Sequence, residues 1–94
     1  MSGFGFDPDK AEINLRKHNL ELALGRRVFE GDFIEEVDDR FDYGETRFVA
    51  IGPVASLGGR ICVTVYTWRD DMRRLISFRK ANDDEVAKYR RHHG

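Results

Sequence analysis

Two runs near the C-terminal end, RICVTVYT (60–67) and RRLISFRKA (73–81), are rich in strand formers and follow a period of two. Only the five residues Trp68 to Met72 separate them. Parallel strands need a crossover of a dozen residues or more, so these two must pair antiparallel as a hairpin. In the first run Ile61, Val63 and Val65 face one way and Cys62, Thr64 and Tyr66 the other, which predicts that both faces are partly covered. In the second, alternation sends Ile76 and Phe78 into the core and Leu75, Ser77 and Arg79 outward.

Other elements arrange themselves around this hairpin. Phe4-Gly5-Phe6 reads as a short strand running into a helix, with Asp7 as N-cap and Pro8 in the first helical position. Ala11, Leu15 and His18 recur at helical spacing, and Asn19 suits the left-handed cap that ends the helix. Leu20, Leu24 and Val28, four residues apart, predict a second short helix over 21–29, although Gly25 interrupts it. Residues 33–37 read as a strand, 38–45 as an acidic loop, 46–52 (TRFVAIG) as a strand and 53–59 as a flexible connection. Asn82 offers an N-cap to a last helix, with Asp83, Asp84 and Glu85 in its first turn and Lys88, Arg90 and Arg91 in its last. The expected class is α+β, a small antiparallel sheet with helices packed on one face.

The charge is divided unevenly along the chain. Residues 1–45 hold 12 acids and 6 bases, whereas 46–94 hold 5 acids and 10 bases, a contrast hidden by the formal net charge of -1. Arg69, Arg73, Arg74, Arg79 and Lys80 fringe the hairpin, and a surface of this kind suits a polyanion, RNA foremost. With 94 residues there is room for one domain, 1–94, and not for two. No apolar run approaches the roughly 20 residues of a membrane span, and the first residues lack a secretion signal, so a cytoplasmic protein without membrane contact is expected. Cys62, the one cysteine, lies in an apolar strand and is expected to be a packed thiol.

RNA cleavage without a metal needs a base for the 2′-hydroxyl proton, cations for the charge building at phosphorus, and an acid for the leaving oxygen. His18 titrates near neutrality and stands beside Lys17, though a histidine on a helical stripe is often simply packed. Strand parity puts Arg79 on the open face with Ser77 while Lys80 points the other way, and a guanidinium can hold two phosphate oxygens at once. Arg47 and Arg69 converge on Arg79 if the strands form a meander. His92-His93 is a weak metal candidate at a frayed end, and no CxxC, HExxH or phosphate-binding glycine loop is present, so neither metal nor cofactor is expected. Tyr66, Trp68 and Tyr89 are candidates for base stacking or for core packing.

The segments FGFDPDKAEINLRKHNLELA, VFEGD, TRFVAIG, VTVYTWRD and LISFRKANDDEVAKY, spanning nearly all of 4–89, resemble the BrnT-type toxins of bacterial type II toxin–antitoxin systems. The resemblance implies a RelE-like fold and an endoribonuclease that inhibits translation by cutting RNA. It implies a BrnA-type antitoxin as partner, with operator DNA reached only through the toxin–antitoxin complex. Carried over by position, the matching polar residues are Lys17, His18, Arg47, Arg69, Arg79 and Lys80; the first five are the expected catalytic residues, and Lys80, with Arg73 and Ser77 of the same hairpin, is expected to bind RNA. Phe6, Asn19, Leu20 and Phe78 depart from the common family pattern without removing any of these groups. A non-catalytic RNA- or protein-binding module using the same basic sheet face is the alternative.

Overall fold

The computed structural model describes residues 3–40 and 42–93, so Phe41 of the expected acidic loop and the side chain of His93 lie outside the described residues. Five strands, β1 (Phe4–Phe6), β2 (Ile34–Asp38), β3 (Arg47–Val54), β4 (Arg60–Arg69) and β5 (Met72–Lys80), form one sheet in the order β1-β5-β4-β3-β2. The hairpin β4–β5 is antiparallel as expected, and so are β2–β3 and β3–β4. The α+β class holds, but the sheet is mixed rather than antiparallel throughout, because β1 runs parallel to β5. The intervening chain from α1 to β4 supplies the long crossover that parallel pairing demands.

Helix α1 (Pro8–His18) begins and ends as its sequence dictates. The Asp7 carboxylate accepts from the Asp9 amide at 2.9 Å, Pro8 occupies the first turn, and Asn19 ends the helix at φ 56°. Its buried residue, however, is Asn14 rather than Leu15, which is 48% exposed. The reason is that α1 docks on a strand edge. β1 pairs with β5 only from Arg73 to Leu75, and beyond it the Asn14 amide takes the place of a strand. Its Nδ2 donates to the Phe78 carbonyl at 2.9 Å, and its Oδ1 accepts from the Phe78 amide at 2.8 Å. Buried backbone polar groups need such partners.

The segment Leu22–Glu30 is a 3₁₀ helix, with Leu22, Gly25 and Val28 buried. That spacing of three is the 3₁₀ repeat, in which every third side chain falls on one line. Gly25 belongs on that line because a Cβ there would lie 3.2 Å from Thr64 Oγ1 and 3.3 Å from Phe78 Cβ, and its carbonyl accepts from the Thr64 hydroxyl at 2.9 Å. With α1 this segment covers a core containing Cys62, Tyr66, Leu75 and Phe78. Phe29 meets Tyr66 edge to face at 5.3 Å.

The second face is not bare. Ile51 and Val63 point away from α1 by strand parity and pack against Tyr89 of the terminal helix α2 (Asp83–His93). The Tyr89 hydroxyl donates to the Asp32 carbonyl at 2.6 Å. The expectation of helices on one face is therefore corrected. Both faces carry apolar strand residues, and each recruits its own helix.

Parity also fails once along β5. Val65 pairs with Ser77 and Tyr66 with Leu75, so Ile76 is an extra residue, a β-bulge. Leu75 and Phe78 consequently share the core side, both essentially inaccessible, and Ile76 is only half-buried. Pro53 stands inside β3, which is tolerated because β2 stops pairing at Ile51 and leaves that edge without a ladder.

Candidate active site on the open sheet face

Register determines which charged groups share the sheet face opposite the 3₁₀ segment. Val63 pairs with Arg79, Val65 with Ser77 and Thr67 with Arg74. The bulge at Ile76 brings Arg74 into phase with Ser77 and Arg79, which strict alternation from 73 to 80 would not do.

Along one side of this row lies α1. Lys10, Asn14, Lys17 and His18 line a cleft with Ile76 and Ser77. Burial, the charge of Arg79 and the charge of Lys17 all lower the His18 pKa below its ordinary 6.5, so the imidazole is neutral at pH 7. Next to this cleft is another, lined by Lys10, Thr67, Arg69, Arg74, Glu45 and Asp7, with Lys10 and Ile76 common to both. Glu45 lies 3.6 Å from Arg47 and 3.5 Å from Arg69, and Arg47 stacks over the Tyr43 ring at 3.9 Å. Thr67 anchors the start of β3 by donating to the Thr46 carbonyl at 2.7 Å.

Arg79 is held by α2. Its two terminal nitrogens donate to Glu85 at 2.6 and 2.7 Å, and the pairing raises the arginine's pKa and lowers the carboxylate's. Glu85 simultaneously accepts from the Asn82 amide at 2.9 Å while Asn82 Oδ1 accepts from the Glu85 amide at 2.8 Å. The reciprocal pair is a capping box, so the start of α2 and the guanidinium are positioned together.

A second carboxylate network faces Arg79 across the sheet. Asp38 accepts from Arg40 Nε at 2.9 Å and Nη2 at 3.1 Å and from the Tyr43 hydroxyl at 3.2 Å, which holds its pKa at about 2. A depressed carboxylate pKa stabilises the fold above the unfolded value near 4, and this contribution disappears as pH falls toward 2. The Asp38→Asn variant should accordingly unfold at lower urea than wild type at pH 7, with the two midpoints drawing together as pH falls from about 4 toward 2. Parallel urea titrations across pH test this, and a constant difference would refute it.

Of the residues expected from sequence, Lys17, His18, Arg47, Arg69, Ser77 and Arg79 are brought to this face. Arg73 and Lys80 are not. Arg73 pairs with Trp68 on the core side and stacks over Phe29 at 4.1 Å and Trp68 at 4.7 Å. Lys80 pairs with the core-facing Cys62, as its parity required. Tyr66 and Tyr89 serve the two cores, Trp68 is half-exposed beside Arg73, and burial pushes the Cys62 thiol pKa up, consistent with a packed role. Among the described residues no histidine, cysteine and carboxylate cluster has the arrangement of a metal site.

Sequence reasoning missed Lys10, Glu45 and Glu85 as members of the site and placed Arg74 only in the basic fringe of the hairpin. Lys10, Asn14 and Lys17 stand at i, i+4 and i+7, one polar stripe that an apolar-only reading of α1 passes over. Arg74 depends on the bulge, Glu85 on the turn into α2, and Glu45 on the segment that leads into β3.

Residues 6–85 match the family model described as ribonuclease toxin, BrnT, of type II toxin–antitoxin system. The crystal structure of the Brucella abortus ribonuclease toxin BrnT superposes with a TM-score of 0.63 at 21% identity, over 88% of this chain and 100% of that one. No curated protein matches significantly.

Proposed function

This chain belongs to the BrnT family of ribonuclease toxins of type II toxin–antitoxin systems, with RNA as substrate and an antitoxin protein as partner, and from that premise we propose how it cuts RNA. The observation that carries the proposal is the convergence of Lys10, Lys17, His18, Arg69 and Arg74 on two adjoining clefts of one sheet face. The imidazole of His18, neutral at pH 7, takes the 2′-hydroxyl proton, and the resulting oxygen attacks the adjacent phosphorus. Arg69 and Arg74, with Arg47 and Arg79 beside them, stabilise the charge that accumulates on the phosphoryl oxygens. An ammonium, Lys17 or Lys10, supplies a proton to the departing 5′-oxygen. The products are a 2′,3′-cyclic phosphate and a 5′-hydroxyl end, and base, acid and cations all come from side chains, so the reaction needs no metal.

The 94 residues act as a single ribonuclease-toxin domain in the cytoplasm. No described helix is long and apolar enough to cross a membrane. A BrnA-type antitoxin neutralises the toxin, and operator DNA is contacted only through that complex.

The test is primer-extension mapping of RNA ends after brief induction, beside cleavage by purified protein in EDTA. New ends that persist in EDTA and fall about a hundredfold in rate in Arg69→Ala are expected. RNA binding without new ends would instead establish a binding module, and loss of cleavage in EDTA would refute the metal-free mechanism.

A further inference from the structure

Arg79 also borders a third, larger cleft of about 360 Å³ on the same face. Val49 and Val65 form an apolar part of its lining, and its polar sides are two arginine–carboxylate pairs, Asp38 with Arg40 and Glu85 with Arg79. In contrast to the two basic clefts, four carboxylates line it against two guanidiniums, and among the described residues only one of the four, Glu36, has a further cation in Lys88. A phosphate is repelled from such a place. A flat uncharged ring with hydrogen-bonding edges is suited to it, since its faces lie on the valines and its edges meet both donors and acceptors.

The position is also right for a base. Val65 of the large cleft pairs with Ser77 of the His18 cleft, so the two stand side by side on neighbouring strands. RNA whose phosphate sits by His18 and Arg74 places a neighbouring base toward Val65, one strand pair further along.

We propose that this cleft is a base-recognition subsite that selects guanine at a nucleotide flanking the cut. A carboxylate only accepts hydrogen bonds and a guanidinium only donates them. Guanine presents adjacent N1–H and N2–H donors for the first and adjacent O6 and N7 acceptors for the second. Uracil presents one imino hydrogen between two carbonyl oxygens, which the carboxylates repel. The subsite rests on the ribonuclease reading, and its test separates the two.

Purified protein is given oligoribonucleotides that differ only at the nucleotide on either side of the cut, which is guanine, inosine, adenine or uracil. Guanine at one of these positions is expected to raise kcat/KM about tenfold or more over uracil and over inosine, which lacks the 2-amino group. Val65→Phe, which fills the apolar part of the cleft, is expected to bring the guanine substrate down to the rate of the uracil one. Equal rates for all four bases at both positions would overturn the subsite and leave the nuclease standing, as would an undiminished guanine preference in a folded Val65→Phe protein. Failure to cut any of these oligonucleotides would overturn both. Should Val65→Phe fail to fold, the inosine comparison in wild type decides alone.

Discussion

Replacing His18 with alanine is expected to lower kcat/KM for RNA cleavage by about 10²–10⁴-fold, the usual contribution of a positioned general base. The pH dependence identifies the role. Burial, Arg79 and Lys17 all disfavour the imidazolium, so the wild-type rate should be high at pH 7 and fall only as pH drops through a value below 6.5. Below that point the imidazole carries a proton and accepts no other. In His18→Ala the acid limb should be gone, leaving a low rate that no longer follows this ionisation. Unaltered cleavage by a folded His18→Ala protein, or an acid limb that survives the substitution, would remove His18 from the chemistry and leave it a packing residue at the end of α1.

The largest effect on stability is expected at Asn14. Its amide donates to the carbonyls of Leu20 and Phe78, each at 2.9 Å, and accepts from the Phe78 amide at 2.8 Å, in a side chain only 2% exposed. Asn14→Leu keeps the branched shape and the number of heavy atoms, though with bulkier methyl groups, and orphans three backbone groups. An unsatisfied buried group costs about 1–3 kcal/mol, so a loss of about 3–5 kcal/mol is expected. Stabilities of domains run to about 5–15 kcal/mol in total, and Tm should fall by about 10 °C or more. Asn14→Asp should be at least as damaging, because a carboxylate has no donor for the two carbonyls and repels them. Urea and thermal unfolding of both variants provide the check. A loss below about 1 kcal/mol in Asn14→Leu would mean that water replaces the amide and that α1 is not held in this way.

Much of this molecule is legible from local patterns. The cap at Asp7-Pro8, the left-handed stop at Asn19, the β4–β5 hairpin and the Asn82 cap of α2 follow from side chains acting on their own backbone, within a few residues. His18 and Lys17 were identifiable because they lie side by side at a helix end. Arg73 was not separable from Arg74 in this way. Both look like guanidiniums on a polar strand, and only the Phe29–Trp68 stack and the bulge at Ile76 put the first beside the core and the second at the site.

By itself the sequence determined the class of fold and the order of its elements, because period and capping are properties of neighbouring residues, and its resemblance to BrnT-type toxins pointed to the family. The tertiary structure alone decided that β1 closes the sheet in parallel, that Asn14 completes β5, and that α2 takes the second face and holds Arg79 through Glu85. It also decided that Lys10, Arg74 and Glu45 belong with His18. Each of these joins residues far apart in the chain, and one bulged residue reverses the facing of all that follow, so no local period could have announced them.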